Sequence, residues 1–222
     1  NVRHQIYKRI IHMINEYFDM LEDWKKLPSY KLETRIDSIV GFVLPMLMEN
    51  VYGVKTALII PELPIRLAIV HPRHEDSNFA NRSYKVDFYI RTEAGGNYFI
   101  EFKSDSRSRR EGQDYYLERS VEVGMKSILE GILEISRVSS YREKYDHLLR
   151  KLSLANLIDG NRMVTIDTES INVIYIQPKL LKGDKADEVL DFNRLALSIR
   201  ECFPATEFLT RFSSSLGDWA TD

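Results

Sequence analysis

Residues 84–105, YKVDFYIRTEAGGNYFIEFKSD, constrain the fold of this chain more than any other stretch. Two runs rich in aromatic and β-branched residues flank TEAGGN, whose glycines can take positive φ, and this is the pattern of a β-hairpin. Three charged residues, Asp87, Glu101 and Lys103, interrupt the otherwise apolar arms at positions where side chains are expected to pack.

Strand side chains alternate faces, so Phe99, Glu101 and Lys103 share one side of their strand. A three-residue loop at Ala94, Gly95 and Gly96 would pair Glu93 with Asn97. That register sets Asp87 opposite Lys103 and Tyr89 opposite Glu101, and the three charged groups converge on one face. A two-residue loop would send Asp87 to the other face, so convergence requires an odd-length turn. The plainer alternative is a solvated hairpin face carrying a cross-strand ion pair worth about 0.2–1 kcal/mol.

Two adjacent carboxylates are costly unless a cation compensates them, and hard oxygen ligands suit Mg²⁺ or Mn²⁺. A neighbouring lysine can hold a water or stabilise charge growing on a phosphoryl oxygen, which is the chemistry of phosphodiester hydrolysis.

The periodicity of the remaining sequence supplies layers for this hairpin. Ile6, Ile10, Met13, Ile14, Tyr17 and Leu21 fall on one face of a helix within 5–27. Leu32, Ile36, Ile39, Val40, Val43 and Leu47 mark a second helix ending near Asn50 and Gly53, with a kink or early stop expected at Pro45. The segment from Val54 reads as two short edge or accessory strands separated by Pro61 and Pro64, followed by a polar loop. A long helix is predicted from Gln113 to Tyr145 with a break near Ser139 and Ser140. INVIYIQP at 171–178 reads as a buried strand, and helices are expected at 185–201 and 205–215. The order predicts a single α/β domain over 1–222, its helices packed around one central mixed sheet. The core is expected over about 31–178, with the N-terminal helix and the C-terminal helices of 185–216 as additions.

Composition limits the partners. At 44% hydrophobic residues the 222-residue chain can bury a real core, and a formal charge of -2 gives no overall field favouring a polyanion. Binding to nucleic acid therefore has to come from a local patch. The marked basic cluster is Arg107, Arg109 and Arg110, with Lys103 and Arg119 nearby, able to neutralise phosphates without reading sequence. Its alternative is a solvated loop partnered by Asp105, Glu111 and Asp114. A single cysteine, Cys202, excludes an intrachain disulfide and suits a reducing compartment. No run approaches the roughly 18 apolar residues of a membrane span, and NVRHQIYKRI lacks a secretory core. A cytoplasmic protein is the expectation.

Asp87, thirteen intervening residues, then Glu101-Phe102-Lys103 resembles the motif of the PD-(D/E)XK nuclease superfamily, with Val86 in place of the proline. The order of helix, strands, helix and strand is similar to that family's restriction-endonuclease-like core. Leu32 to Lys103 also resembles the N-terminal nuclease domains of type I restriction enzyme motor subunits. The resemblance implies a metal-dependent nuclease acting on DNA, with Mg²⁺ or Mn²⁺ held by Asp87, Glu101 and the carbonyl of Phe102, and Lys103 orienting the water. It implies a further acid on the preceding helix, for which Glu33 is the match and Asp37 the substitute. RecB-type relatives carry a glutamine in the following helix, where Gln113 falls. Their tyrosine lies four residues on, where this chain has Leu117, with Tyr116 one position earlier. Many members act as dimers, so a homodimer belongs to the same expectation.

Other motifs carry less. Asp23-Trp24-Lys25 repeats acid-x-Lys on a helical segment without a companion acid. His71-Pro-Arg-His74-Glu-Asp76 has metal-binding residue types, but its proline prevents regular helical presentation and no cysteine pair completes a zinc set. The rival reading is a noncatalytic module of the same fold, binding nucleic acid through its basic edge or a protein through its apolar helices.

Overall fold

A computed structural model describes residues 2–28, 30–71, 81–105, 111–167, 169–185 and 188–221. Among the described residues twelve elements follow one another: α1 Val2–Trp24, α2 Glu33–Tyr52, β1 Thr56–Arg66, α3 Leu67–Val70, β2 Ser83–Thr92 and β3 Asn97–Phe102, then α4 Glu111–Val138, α5 Arg142–Leu154, β4 Ile171–Gln177, β5 Val189–Asp191, α6 Phe192–Cys202 and α7 Glu207–Trp219. The fold is α/β. Five strands in the order β1-β2-β3-β4-β5 form one mixed sheet, antiparallel from β1 through β3 and parallel between β4 and β5.

The chain divides into two compact units. The first comprises 1–53, 102–108 and 175–222; the second comprises 54–101 and 109–174. In the first unit, Phe18 and Leu21 of α1 are buried, and Phe18 lies against Phe208 and Phe212 at ring distances of 5.2 and 6.0 Å. The buried stripe of α2 runs through Ile36, Val40, Val43, Leu44, Leu47 and Met48. Phe102 stacks on Phe192 at 6.0 Å. In the second unit, β2 is buried at Val86, Phe88, Tyr89 and Ile90, and α4 at Leu117, Met125, Ile128, Leu129 and Ile132.

Several boundaries differ from the sequence expectation. Pro45 neither stops nor shortens α2, which continues to Tyr52. Buried residues on both sides of it, Val43, Leu44, Leu47 and Met48, anchor the two turns and outweigh the lost hydrogen bond. The helix ends where the spacing predicts, at Gly53, whose left-handed backbone (φ 68) lets its N–H close on Glu49 O at 3.1 Å.

The two runs around Pro61 and Pro64 are one strand, β1, whose only neighbour in the sheet among the described residues is β2. An edge strand tolerates proline because some of its N–H groups face no partner. Regular strand would point the two proline nitrogens to opposite sides. Glu62, at φ 52, breaks the backbone between them, while Pro61↔Phe88 and Leu63↔Val86 keep one register. Leu67–Val70, expected within the second run, is the short helix α3.

The helix break near Ser139 is present, between α4 and α5, but α5 extends to Leu154. A second interruption lies at Gly124, with φ 76 and ψ 165 inside α4. The helix expected at 185–201 begins only at Phe192, after the short strand β5.

Candidate functional site

The hairpin turn decides how the charged residues meet. Thr92 N donates to Gly96 O at 2.9 Å, Gly95 N to Thr92 O at 3.0 Å, and Gly96 N to Thr92 Oγ1 at 2.8 Å. The loop is therefore Glu93, Ala94 and Gly95, and Gly95 carries the positive φ of 88. It has the odd length expected but begins one residue earlier than Ala94. The next N–H, of Glu93, points to the other side and donates to Lys55 O at 2.9 Å.

The resulting register pairs Arg91 with Asn97, Tyr89 with Phe99 and Phe88 with Ile100. Tyr89 is thus opposite Phe99 rather than Glu101, and continuing the register one residue further sets Asp87 opposite Glu101 rather than Lys103. A slip of two residues preserves the face, so Asp87 and Glu101 still share one side of the sheet.

In the second unit, Glu101 is 0% exposed and Asp87 is half-buried. One oxygen of Glu101 accepts from Tyr84 OH at 3.1 Å, and the other accepts from Gln113 Nε2 at the start of α4. Tyr84 stacks on Tyr116, with ring centroids 5.3 Å apart. Burial above all, then the charges of Glu101 and Asp87, push the Tyr84 phenol far above its ordinary pKa and keep it a neutral donor. Asp87, Glu101, Gln113 and Tyr84 therefore form one electrostatic group.

In the first unit, Lys103 is 4% exposed, and its Nζ lies 3.6 Å from Glu33 Oε1 and donates to Phe102 O at 3.2 Å. Its backbone N–H donates to Ile176 O of β4 at 2.7 Å, fixing the residue just past the end of β3. Glu33 opens α2, where a carboxylate also favours the helix dipole. The solvated-face alternative fails for Glu101 and Lys103, since both charged groups are buried and hydrogen-bonded.

The remaining candidates fare differently. Arg119 pairs with Glu122 one turn further along α4. Arg107, Arg109 and Arg110 lie outside the described residues, as do His74 and Asp76. His71 packs edge-on to Tyr115 at 5.7 Å. Asp37 accepts from its neighbour Ser38 N at 2.6 Å.

Sequence reasoning missed Tyr84 as a partner of Glu101. A signal was present: a phenol three residues before Asp87 opens an arm whose other aromatic residues belong to the core.

Hard oxygen donors are the chemistry this cluster offers to a metal. Asp87 and Glu101 both act on the Tyr84 phenol, and two nearby carboxylates are a pairing that a divalent cation relieves. Among the described residues no group of three or more His, Cys, Asp or Glu side chains is placed to hold a metal. No family model, curated protein or solved structure matches the chain.

Proposed function

We propose that this chain is a metal-dependent nuclease of the PD-(D/E)XK type, hydrolysing DNA phosphodiester bonds. The observation that carries the reading is the burial of Glu101, which together with Asp87 acts on the Tyr84 phenol and stands two residues before a buried lysine. Burying these charges in a sheet is expensive and stabilises nothing that apolar residues would not stabilise better. The element order α2, β1-β2-β3, α4, β4 supports a restriction-endonuclease-like core.

On this reading Asp87, Glu101 and the Phe102 carbonyl hold Mg²⁺ or Mn²⁺. The ion supplies Lewis acidity toward the phosphoryl oxygen and lowers the pKa of a bound water. Lys103 orients that water or stabilises the charge developing on phosphate, and Glu33 fixes the ammonium position through its ion pair. Gln113 positions the Glu101 carboxylate through its amide. DNA is the expected partner, with Arg107, Arg109, Arg110 and Arg119 as its phosphate contacts. A cytoplasmic location accompanies this function; none of the helices among the described residues is long and apolar enough to cross a membrane.

One observation favours the rival reading, a catalytically inactive nuclease-fold module that binds nucleic acid or protein. Both oxygens of Glu101 already accept hydrogen bonds, so the carboxylate is satisfied without a cation. Calorimetry with Mn²⁺ separates the two. The nuclease reading expects binding to the wild-type chain and at least a tenfold loss in Asp87→Asn, as for removal of one ligand. Absent Mn²⁺ binding together with retained DNA binding would select the inactive module.

A further inference from the structure

The N-terminal helix carries two stripes. One, through Ile11, Ile14, Phe18 and Leu21, turns inward toward α7: Tyr7 OH donates to Glu207 at 2.8 Å, Arg211 reaches Asp19 at 2.7 Å, and Trp219 Nε1 donates to Glu22 at 2.6 Å. The other consists of Ile6, Ile10, Met13, Tyr17, Met20 and Trp24, and the intervals between them are 4, 3, 4, 3 and 4 residues. This is the a/d spacing of a coiled-coil seam, with Ile10, Tyr17 and Trp24 at a and Ile6, Met13 and Met20 at d. Much of it is uncovered: Ile6 is 54% exposed, Ile10 49%, Met13 59% and Trp24 41%, while Tyr17 and Met20 are half-buried, Tyr17 lying also against Phe208 of α7 at 6.2 Å and Trp24 against Tyr30 at 6.0 Å. Isolated exposed apolar residues need no explanation, but apolar side chains at heptad spacing along a helix of about 35 Å, all at least partly open to solvent, mark an interaction surface.

We propose that this seam is a self-association surface, on which two copies of the chain pair through antiparallel α1 helices. Orientation follows from the flanking residues. In a parallel pair the g positions Arg9 and Glu16 would face e positions Ile14 and Leu21, which are already turned toward α7. In an antiparallel pair, g faces g. Matching a with d then gives one register that uses every seam residue: Ile6 with the partner's Trp24, Ile10 with the partner's Met20, and Met13 with the partner's Tyr17, each repeated by the two-fold axis. Larger side chains meet smaller ones at both ends. The same register sets Arg9 against the partner's Asp23 twice, a charge complementarity, and Glu16 against the partner's Glu16 at the axis. The interface is isologous and closes as a dimer.

Sedimentation velocity of the full chain over a concentration series tests this. Wild type should form a dimer, and Ile10→Glu should sediment as a monomer with unchanged far-UV circular dichroism. Arg9→Asp or Asp23→Arg should each weaken the dimer roughly fivefold, as two exposed ion pairs are lost, and the double exchange should restore it. Glu16→Gln should tighten it. A wild-type chain monomeric at concentrations on the order of 100 µM would overturn the proposal, because an obligate seam associates by mass action well below that. A dimer indifferent to Ile10→Glu would also overturn it, and failure of the charge exchange to restore association would refute the antiparallel register.

Discussion

Glu101 is the residue on which the local electrostatics turn. Its carboxylate is buried, and Tyr84 and Gln113 supply one donor to each oxygen. Removing a donor leaves a buried acceptor desolvated and unpaired, so Tyr84→Phe should cost about 1–3 kcal/mol in urea unfolding. On the nuclease reading Mn²⁺ should recover part of that loss, seen as a larger metal-dependent rise in Tm for Tyr84→Phe than for wild type. Asp87, Glu101 and Lys103 were legible from sequence because charged side chains stand out in an alternating apolar arm. Tyr84 is harder to read, because its one signal, a phenol at the start of the arm, resembles one more packing residue.

At the scale of elements, the parts that periodicity predicts are those whose burial follows a regular spacing. The stripe of α2 from Ile36 to Met48 and the strand β4 are examples. What was hidden depends on backbone irregularities with tertiary partners. The hairpin closes one residue early because Thr92 takes both ends of the turn, its N–H on Gly96 O and its Oγ1 on Gly96 N. Gly124 interrupts α4 in a region of φ and ψ that side chains hardly enter, while the freed Met125 N–H donates to Glu169 O at 3.0 Å. Gly124→Ala should therefore destabilise by about 1–3 kcal/mol, despite the higher helix propensity of alanine, as chemical denaturation would measure. Pro45→Ala should act in the opposite direction. It restores a donor within an otherwise regular helix, and about 1 kcal/mol of added stability is expected.

For the molecule as a whole, Glu169 couples stability to pH. Glu169 is held below the ordinary carboxylate range chiefly by its hydrogen bond to Arg91, with Asn97 adding a second. A carboxylate whose folded pKa is depressed stabilises the fold above its unfolded pKa, and that contribution is lost as pH falls through the folded one. Urea unfolding at pH 7, 5 and 3 should find Glu169→Gln less stable than wild type near neutrality, with the difference shrinking below the usual carboxylate range. The α/β class and mixed sheet were legible from the sequence order, since helix and strand periods differ. The internal division into units was not, because it depends on which distant segments pack together. The central claim concerns function, and DNA cleavage tests it most directly. Plasmid and linear DNA incubated with Mg²⁺ or Mn²⁺ should be hydrolysed by the wild-type chain, while Asp87→Ala and Lys103→Ala should each lose at least a hundredfold in rate, the scale of a lost charge-stabilising group. Cleavage unaffected by both substitutions, or none by the wild-type chain with either metal, would contradict the account.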